Sequence, residues 1–364
     1  MSLIMSPSMY KEWRSCGRKG LISSNRFLGN IHTVYGRAYE HGAKYIIDNL
    51  TAFKNEEGWY WYESQAYTYP DSEEVIRKLI VGHAILQGAR YLREFDKPQH
   101  KEKNVFTLAV GLANTYHWFS SFLDKNVVEG YEERIIFQGA NFAIGGAYDF
   151  MAKDVRLNAS SIYDFKGITS LWNYSFPSSP QIPIYTVLKQ MALLAAGSDK
   201  VMSMNGGYAI NMTSAKKEED PFLYIPVNTK LVLATLTNMM DDFIRCGKDL
   251  HKLQAQSPAL VMQYMNAPVN TDTCTANFNC FHLGECANSN FSMHTNPDDR
   301  VFDKLTKYTF SSSLLKEAIK KIRANSSIVN LVDGDGIASG DMFDEGVVED
   351  FFGEGSGELT LGEL

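Results

Sequence analysis

The alternation of apolar and polar positions divides the chain into a helical first third, a strand-rich middle and a mixed remainder. Residues 10–22 read as a short basic helix carrying Lys11, Arg14, Arg18 and Lys19. Residues 33–50 read as a longer helix, ended by Asn49 and the polar turn after it. An aromatic stretch follows, with Trp59, Tyr60, Trp61 and Tyr62, then Tyr67 and Tyr69. Asp71 or Ser72 can cap a helix running to about Phe95, with Glu73 and Glu74 in its first turn, where the helix dipole favours anions. Residues 105–123 fit a further helix.

Between 127 and 166 the pattern becomes short, β-branched and aromatic, with Gly and Asn breaks. It predicts three consecutive strands, at 128–137, 142–151 and 161–166. The short link 154–160 makes the last two an antiparallel hairpin. A helix at 182–196, strands at 201–212 and 222–227, and a long helix capped by Asn228 and running to Leu253 come next. A basic helix at 312–323 closes the body. Helices on both sides of a short mixed sheet predict an α/β fold. No internal repeat is visible.

Composition changes this picture little: 45% of residues are hydrophobic and 21% charged, ordinary values for a globular protein. The longest apolar stretches, 107–113 and 187–196, are too short for a membrane span, and the first residues lack signal-peptide or presequence character. The expectation is a cytoplasmic protein with no membrane partner. Charge is more informative. The segment 333–364 holds five Asp and five Glu and no Lys or Arg, so the chain's −7 becomes +3 for the rest. A mildly basic body with an acidic tail is compatible with a nucleic-acid partner.

The stretch with the clearest chemistry is Gly145-Gly-Ala-Tyr-Asp149, followed after a gap by Asp164-Phe-Lys166. On a strand, Ile162, Asp164 and Lys166 share one face while Tyr163 and Phe165 take the other. Hairpin pairing brings Asp149 towards Asp164. Two carboxylates at an apolar strand end repel each other, and a hard divalent cation such as Mg²⁺ relieves the repulsion. Lys166 adds a cation beside the position where negative charge develops in phosphodiester hydrolysis. A third carboxylate is expected from Glu40, one helical turn after Gly36, whose missing side chain permits close backbone approach.

In that order, Gly36-x-x-x-Glu40, Gly146-x-x-Asp149 and Asp164-x-Lys166 resemble the active-site motifs of the PD-(D/E)XK nuclease superfamily. More narrowly, they resemble its RecB-like branch of phage and CRISPR-associated exonucleases. The resemblance covers residues 10–290. It implies a restriction-endonuclease-like core within residues 1–332, with a helical insertion at about 51–125. It also implies that Glu40, Asp149, Asp164 and the Phe165 carbonyl hold Mg²⁺ or Mn²⁺, and that Lys166 orients the water. That branch adds a glutamine on the helix after the lysine strand. Gln190 fits, although Leu194 stands where a tyrosine is usual.

Cys274, Cys280 and Cys286 lie close together in a Gly-, Asn- and Thr-rich stretch, a distribution that in a reducing compartment favours metal over disulfides. The family resemblance implies Cys16 as fourth ligand of a [4Fe–4S] cluster that ties the two ends of the nuclease domain together. Zinc suits four thiolates equally well on ligand chemistry. Cys246 reads as a structural thiol, and His282 is not needed as a ligand. The aromatics at 59–69 suit either a local core or stacking on single-stranded bases. The tail, expected to be disordered, mixes acids with Phe343, Phe351 and Phe352, which suits docking to a protein partner or covering a basic groove. The expected function is a metal-dependent DNA exonuclease of phage or prokaryotic recombination, repair or replication. The alternative is a DNA-binding or assembly subunit that keeps the fold without cutting.

Overall fold

The computed structural model describes residues 4–25, 31–54, 72–92, 98–168, 176–212, 221–257, 259–270 and 304–329. The aromatic stretch at 59–69, the three clustered cysteines and the acidic tail lie outside these residues.

The basic segment near the start forms two helices where one was expected. Pro7–Ser15 (α1) opens with Pro at its first position and Ser6 as cap, whose Oγ accepts the Met9 N–H at 3.2 Å. Cys16 then takes an extended conformation, φ −165° and ψ 124°, and Gly17–Asn25 (α2) starts in a new direction. The break presses the chain against Pro268. A Cβ on Gly17 would stand 2.7 Å from the proline ring, so only glycine fits there.

Three helices follow, Ile31–Lys54 (α3), Ser72–Leu92 (α4) and Pro98–Leu123 (α5). The strand-rich region then divides more finely than its pattern suggests. Its strands are Asn126–Tyr131 (β1), Glu133–Gln138 (β2), Ala143–Ala147 (β3), Phe150–Asp154 (β4) and Ala159–Ile168 (β5). After them come Gln181–Ala195 (α6), Gly207–Met212 (β6), Phe222–Pro226 (β7) and Thr229–Gln256 (α7). Leu260–Asn266 (α8), Lys304–Thr309 (β8) and Ser312–Val329 (α9) complete the described elements.

The fold is mixed α/β, with two sheets in place of the single sheet expected. A five-stranded sheet has the order β1-β4-β5-β6-β7, and a three-stranded one the order β3-β2-β8. Pairing is antiparallel except for β5 with β6 and β2 with β8. Segments 126–138 and 143–154 each pass from one sheet to the other. They bend side by side: Glu132, held at φ 36°, donates its N–H to the Asp149 carbonyl at 2.9 Å. Asp149 thus occupies the corner where the two sheets part.

Each face of the larger sheet meets its own core. Ile162 joins a cluster with Tyr10, Ile144, Tyr185, Met191 and Phe243, beneath α1, α6 and α7. Tyr163 and Phe165 join the other cluster, with Tyr35, Tyr39, Phe119 and Phe150, under α3 and α5. The alternation read from the sequence of β5 is therefore real, and it sorts the strand's side chains between two helical layers. Along α7, burial of Val232, Leu236, Met240, Phe243 and Gly247 follows the three-and-four spacing of an amphipathic helix. Among the described residues, no helix is long and apolar enough to cross a membrane.

Candidate active site

Register fixes the first pair of residues. β4 pairs with β5 antiparallel, with Phe150 opposite Tyr163, so the next step outward sets Asp149 opposite Asp164. Asp149 is tied there by its Oδ2, which accepts the Phe165 N–H at 2.5 Å. Asp164, only 1% exposed, forms an ion pair through Oδ2 with the Lys166 ammonium two residues along the same face. Asp149, Asp164 and Lys166 are therefore gathered as the strand pattern predicts. Phe165 lies between the last two, with its N–H committed to Asp149 and its ring in the second core.

Glu40 arrives from the opposite side of the sheet. Helix α3 crosses β5 at Gly36 and Gly167, where a Cβ on Gly167 would lie 2.6 Å from the Gly36 Cα. This close approach is the reason both residues are glycine. One turn further on, Glu40 comes near enough for its charge to act on Asp149. The following turn carries Lys44, whose Nζ meets Glu132 Oε2 at 2.6 Å and fixes the corner beside Asp149.

The electrostatics are those of crowded carboxylates in a dry place. Burial, then Asp164 and Glu40, push the Asp149 carboxyl well above the usual range, against the smaller opposite pull of Lys166 and the Phe165 N–H. Burial works against the charge of Lys166, but Asp164 and Asp149 outweigh it and hold the ammonium strongly protonated. Oxygen donors that repel one another suit a hard divalent cation. Among the described residues, no three carboxylate, imidazole or thiol side chains converge closely enough to hold one in this conformation. At Asp164 the Lys166 ammonium supplies the counter-charge.

Two residues at this site escaped the sequence reading. Gln181, at the start of α6, donates from Nε2 to Asp164 Oδ1 at 3.2 Å and to the Tyr185 hydroxyl at 3.3 Å. Burial and then Asp164 push the Tyr185 hydroxyl up to about 12. A Cβ on Gly146 would come within 2.4 Å of the Tyr185 ring, so this glycine is what lets the ring lie against β3. The signal was present: glutamine with tyrosine four residues on, the spacing missing at Gln190, is met at Gln181.

Gln190 lies elsewhere. It is fully buried nine residues further along α6, its Oε1 accepting the Met202 N–H at 2.8 Å and its Nε2 donating to the Lys200 carbonyl at 3.3 Å. Both ends of the amide serve a backbone segment beside Ser160, at the far end of β5. Its place is a structural tie, away from Asp164, which Gln181 meets instead.

No family model matches this chain, and no curated protein matches it.

Of the four cysteines expected to hold a metal, Cys16 alone lies among the described residues. Cys16 is buried, with its Sγ 3.9 Å from the Pro268 carbonyl. Arg18 donates to the same carbonyl from its N–H at 3.4 Å, and to the Met265 carbonyl from its side chain at 2.9 Å. The chain near Cys16 is thus docked six residues before Cys274. Cys274, Cys280 and Cys286 lie outside the described residues. Cys246 is buried, and its thiol is pushed up to about 11 by burial and Asp242, as suits a structural thiol. It lines a cavity of about 990 Å³ between α1 and α7 whose charges are internally matched, Arg14 meeting Asp242 at 3.2 Å.

Proposed function

We propose that this protein is a divalent-metal-dependent DNA nuclease with a restriction-endonuclease-like core, of the RecB-like exonuclease kind. The observation that carries the reading is the meeting of Asp149, Asp164 and Lys166 at one end of the β4–β5 hairpin, with the charge of Glu40 bearing on Asp149. Asp149 and Asp164, with Glu40, would hold the ion. When bound, Mg²⁺ or Mn²⁺ supplies polarisation of the phosphodiester and a lowered pKa for the attacking water.

The side chains do the rest. Lys166, paired with Asp164 on the same strand face, would orient the water and offset charge developing on the phosphate. Gln181 and Tyr185 form the wall facing Asp164 and position the strand being cut. Asp149 is held in place by the Phe165 N–H, which fixes where its carboxyl group would meet the ion. Cys16, together with Cys274, Cys280 and Cys286, would hold a [4Fe–4S] cluster or zinc. Ultraviolet–visible absorption and metal analysis of anaerobically purified protein distinguish the two.

The deciding experiment incubates purified protein with end-labelled linear DNA and Mg²⁺ or Mn²⁺, beside Lys166→Ala. Cleavage by the wild type that is lost in the variant is the expected result. DNA binding without cleavage under either metal would instead establish a non-cutting subunit.

A further inference from the structure

Segments 126–138 and 143–154 run as one antiparallel ribbon through both sheets. Tyr131 pairs with Phe150 at the end of the larger sheet, and Arg134 pairs with Ala147 in the smaller one. The same register thus carries across the corner with no residue inserted, and it sets Glu132 opposite Asp149. A ribbon that changes sheets without a bulge has to absorb the bend in its backbone angles. It does so at Glu132, whose φ of 36° lies in the left-handed region. Among the described residues one other non-glycine residue has a positive φ, Asn158 at 52°. Asn158 occupies the turn of the β4–β5 hairpin, a place and a conformation that suit asparagine. Glutamate is strained there.

The strained residue is held on two sides. Its N–H reaches the Asp149 carbonyl at 2.9 Å, and its Oε2 meets Lys44 Nζ of α3 at 2.6 Å. One turn before Lys44 on the same helix stands Glu40. Asp149 is therefore gripped at both ends, its carbonyl by Glu132 and its carboxyl by the Phe165 N–H at 2.5 Å. A left-handed residue of unsuitable type, fixed by a strand and a helix where carboxyl groups gather, marks stored strain at a functional corner.

We propose that Glu132 is a positioning residue for the metal-holding carboxyl groups. Its left-handed backbone turns Asp149 out of the ribbon towards Asp164, and its ion pair with Lys44 keeps α3, and with it Glu40, in step with that turn. This assignment rests on the nuclease reading above and extends it to what holds the carboxyl groups in place. Glu132 touches neither metal nor DNA; it acts through Asp149 and α3. Groups that orient metal ligands from behind set the affinity for the ion nearly as strongly as the ligands do.

The test titrates Mn²⁺ into the full chain without DNA, reading free Mn²⁺ by electron paramagnetic resonance. A second titration follows the rate of cleavage of end-labelled linear DNA. Glu132→Gln and Lys44→Met each remove one charge of the pair and are expected to weaken Mn²⁺ binding about tenfold at unchanged stoichiometry. The Mn²⁺ concentration for half-maximal cleavage should rise by the same factor, with most of the rate recovered at saturating metal. The double variant should bind no more weakly than either single one, because both remove the same tie. Lys44→Arg should keep the wild-type affinity, as should Asn158→Gly. Glu132→Asn suits the left-handed backbone but is too short to reach Lys44. It should melt higher than Glu132→Gln and yet bind Mn²⁺ as weakly, which a purely structural role would not produce. Suppose the wild type cuts DNA, but Mn²⁺ affinity is unchanged in Glu132→Gln and Lys44→Met, or simply follows melting temperature across the variants. The Glu132 assignment then falls alone. A wild type that neither binds Mn²⁺ nor cuts DNA overturns the nuclease reading, and the Glu132 assignment with it.

Discussion

Lys189 and Glu133 form an ion pair between α6 and β2 in which the two side chains are 9% and 5% exposed. Glu133 also accepts from the Tyr148 hydroxyl at 2.7 Å and from the Thr306 hydroxyl at 3.4 Å. Lys189→Met keeps the length and apolar stem of the side chain but takes the paired ammonium away from a carboxylate in a nearly dry place. Stranding one member of a buried pair costs about 3–5 kcal/mol, a large part of the ~5–15 kcal/mol that holds a domain together. Equilibrium urea unfolding should therefore show the midpoint falling by more than about 1 M. Glu133→Gln combined with Lys189→Met removes both charges and keeps an acceptor for Tyr148, so it should recover all but about 1–2 kcal/mol. The reasoning is refuted if Lys189→Met lies within about 1 kcal/mol of the wild type, or if the double variant is as unstable as the two single losses added. The pair also bears on the site. Gln181, Tyr185 and Lys189 are spaced four apart on α6, so the contact that fixes Lys189 also sets the rotation that presents Gln181 to Asp164.

Gly146→Ala would place a methyl group 2.4 Å from the Tyr185 ring and 2.9 Å from Pro7; it should cost about 1–3 kcal/mol in unfolding measurements and lower the cleavage rate with it. Near ten times its dissociation constant, Mg²⁺ should stabilise the wild type by about 1.4 kcal/mol, raising Tm by about 2 °C. Asp149→Asn should start from a higher metal-free Tm, because it removes a charge opposed by burial, Asp164 and Glu40, and should show no response to the metal. Burial alone would raise the Glu129 carboxyl, but Lys200 and Ser160 bond to it and hold it below its ordinary value of 4.5. Its stabilising contribution is therefore fully present above about pH 4.5 and is lost as pH falls through the lower folded-state value. Glu129→Gln should flatten the acid limb of a Tm-against-pH curve, and an unchanged limb would contradict this account.

What the sequence disclosed was local. The two-residue alternation from Ile162 to Lys166 and the short link at 154–160 were enough to predict a shared face for Asp164 and Lys166, with Asp149 brought towards Asp164. Gly36 before Glu40 announced a close helix–strand crossing, although its partner, Gly167, carried no recognisable mark. The sheet change at Glu132 and Asp149 left no pattern, because a strand that passes between two sheets keeps its β-branched and apolar residues throughout. Gln190 was misplaced for a related reason. Its amide bonds to Lys200 and Met202, and only the folded course of the chain brings those backbone groups to it. Gln181 stood two residues before Pro183, at a helix start that composition alone marks as a boundary.

The position of the site follows from the corner at Asp149. Had segments 126–138 and 143–154 continued straight, Asp149 would be one more interior strand residue, covered on one face by a helix. Because both segments bend there, the end of the β4–β5 hairpin is open to two helical layers at once. Helix α3 brings Glu40 from one side, at a distance set by the Gly36–Gly167 contact. Helix α6 brings Gln181 and Tyr185 from the other, at a distance set by Gly146. These glycines therefore act as spacers: a methyl group at Gly167 would drive back the α3 backbone that carries Glu40, and one at Gly146 would drive back the Tyr185 ring. Asp149, Asp164 and Glu40 bring three carboxyl groups to the corner where Lys166 pairs with Asp164, and burial together with their crowding pushes the Asp149 carboxyl well above its usual range. On the proposed function, a dication held by these residues is what would relieve that crowding, because rigid neighbours on both sides keep the carboxyl groups from moving apart.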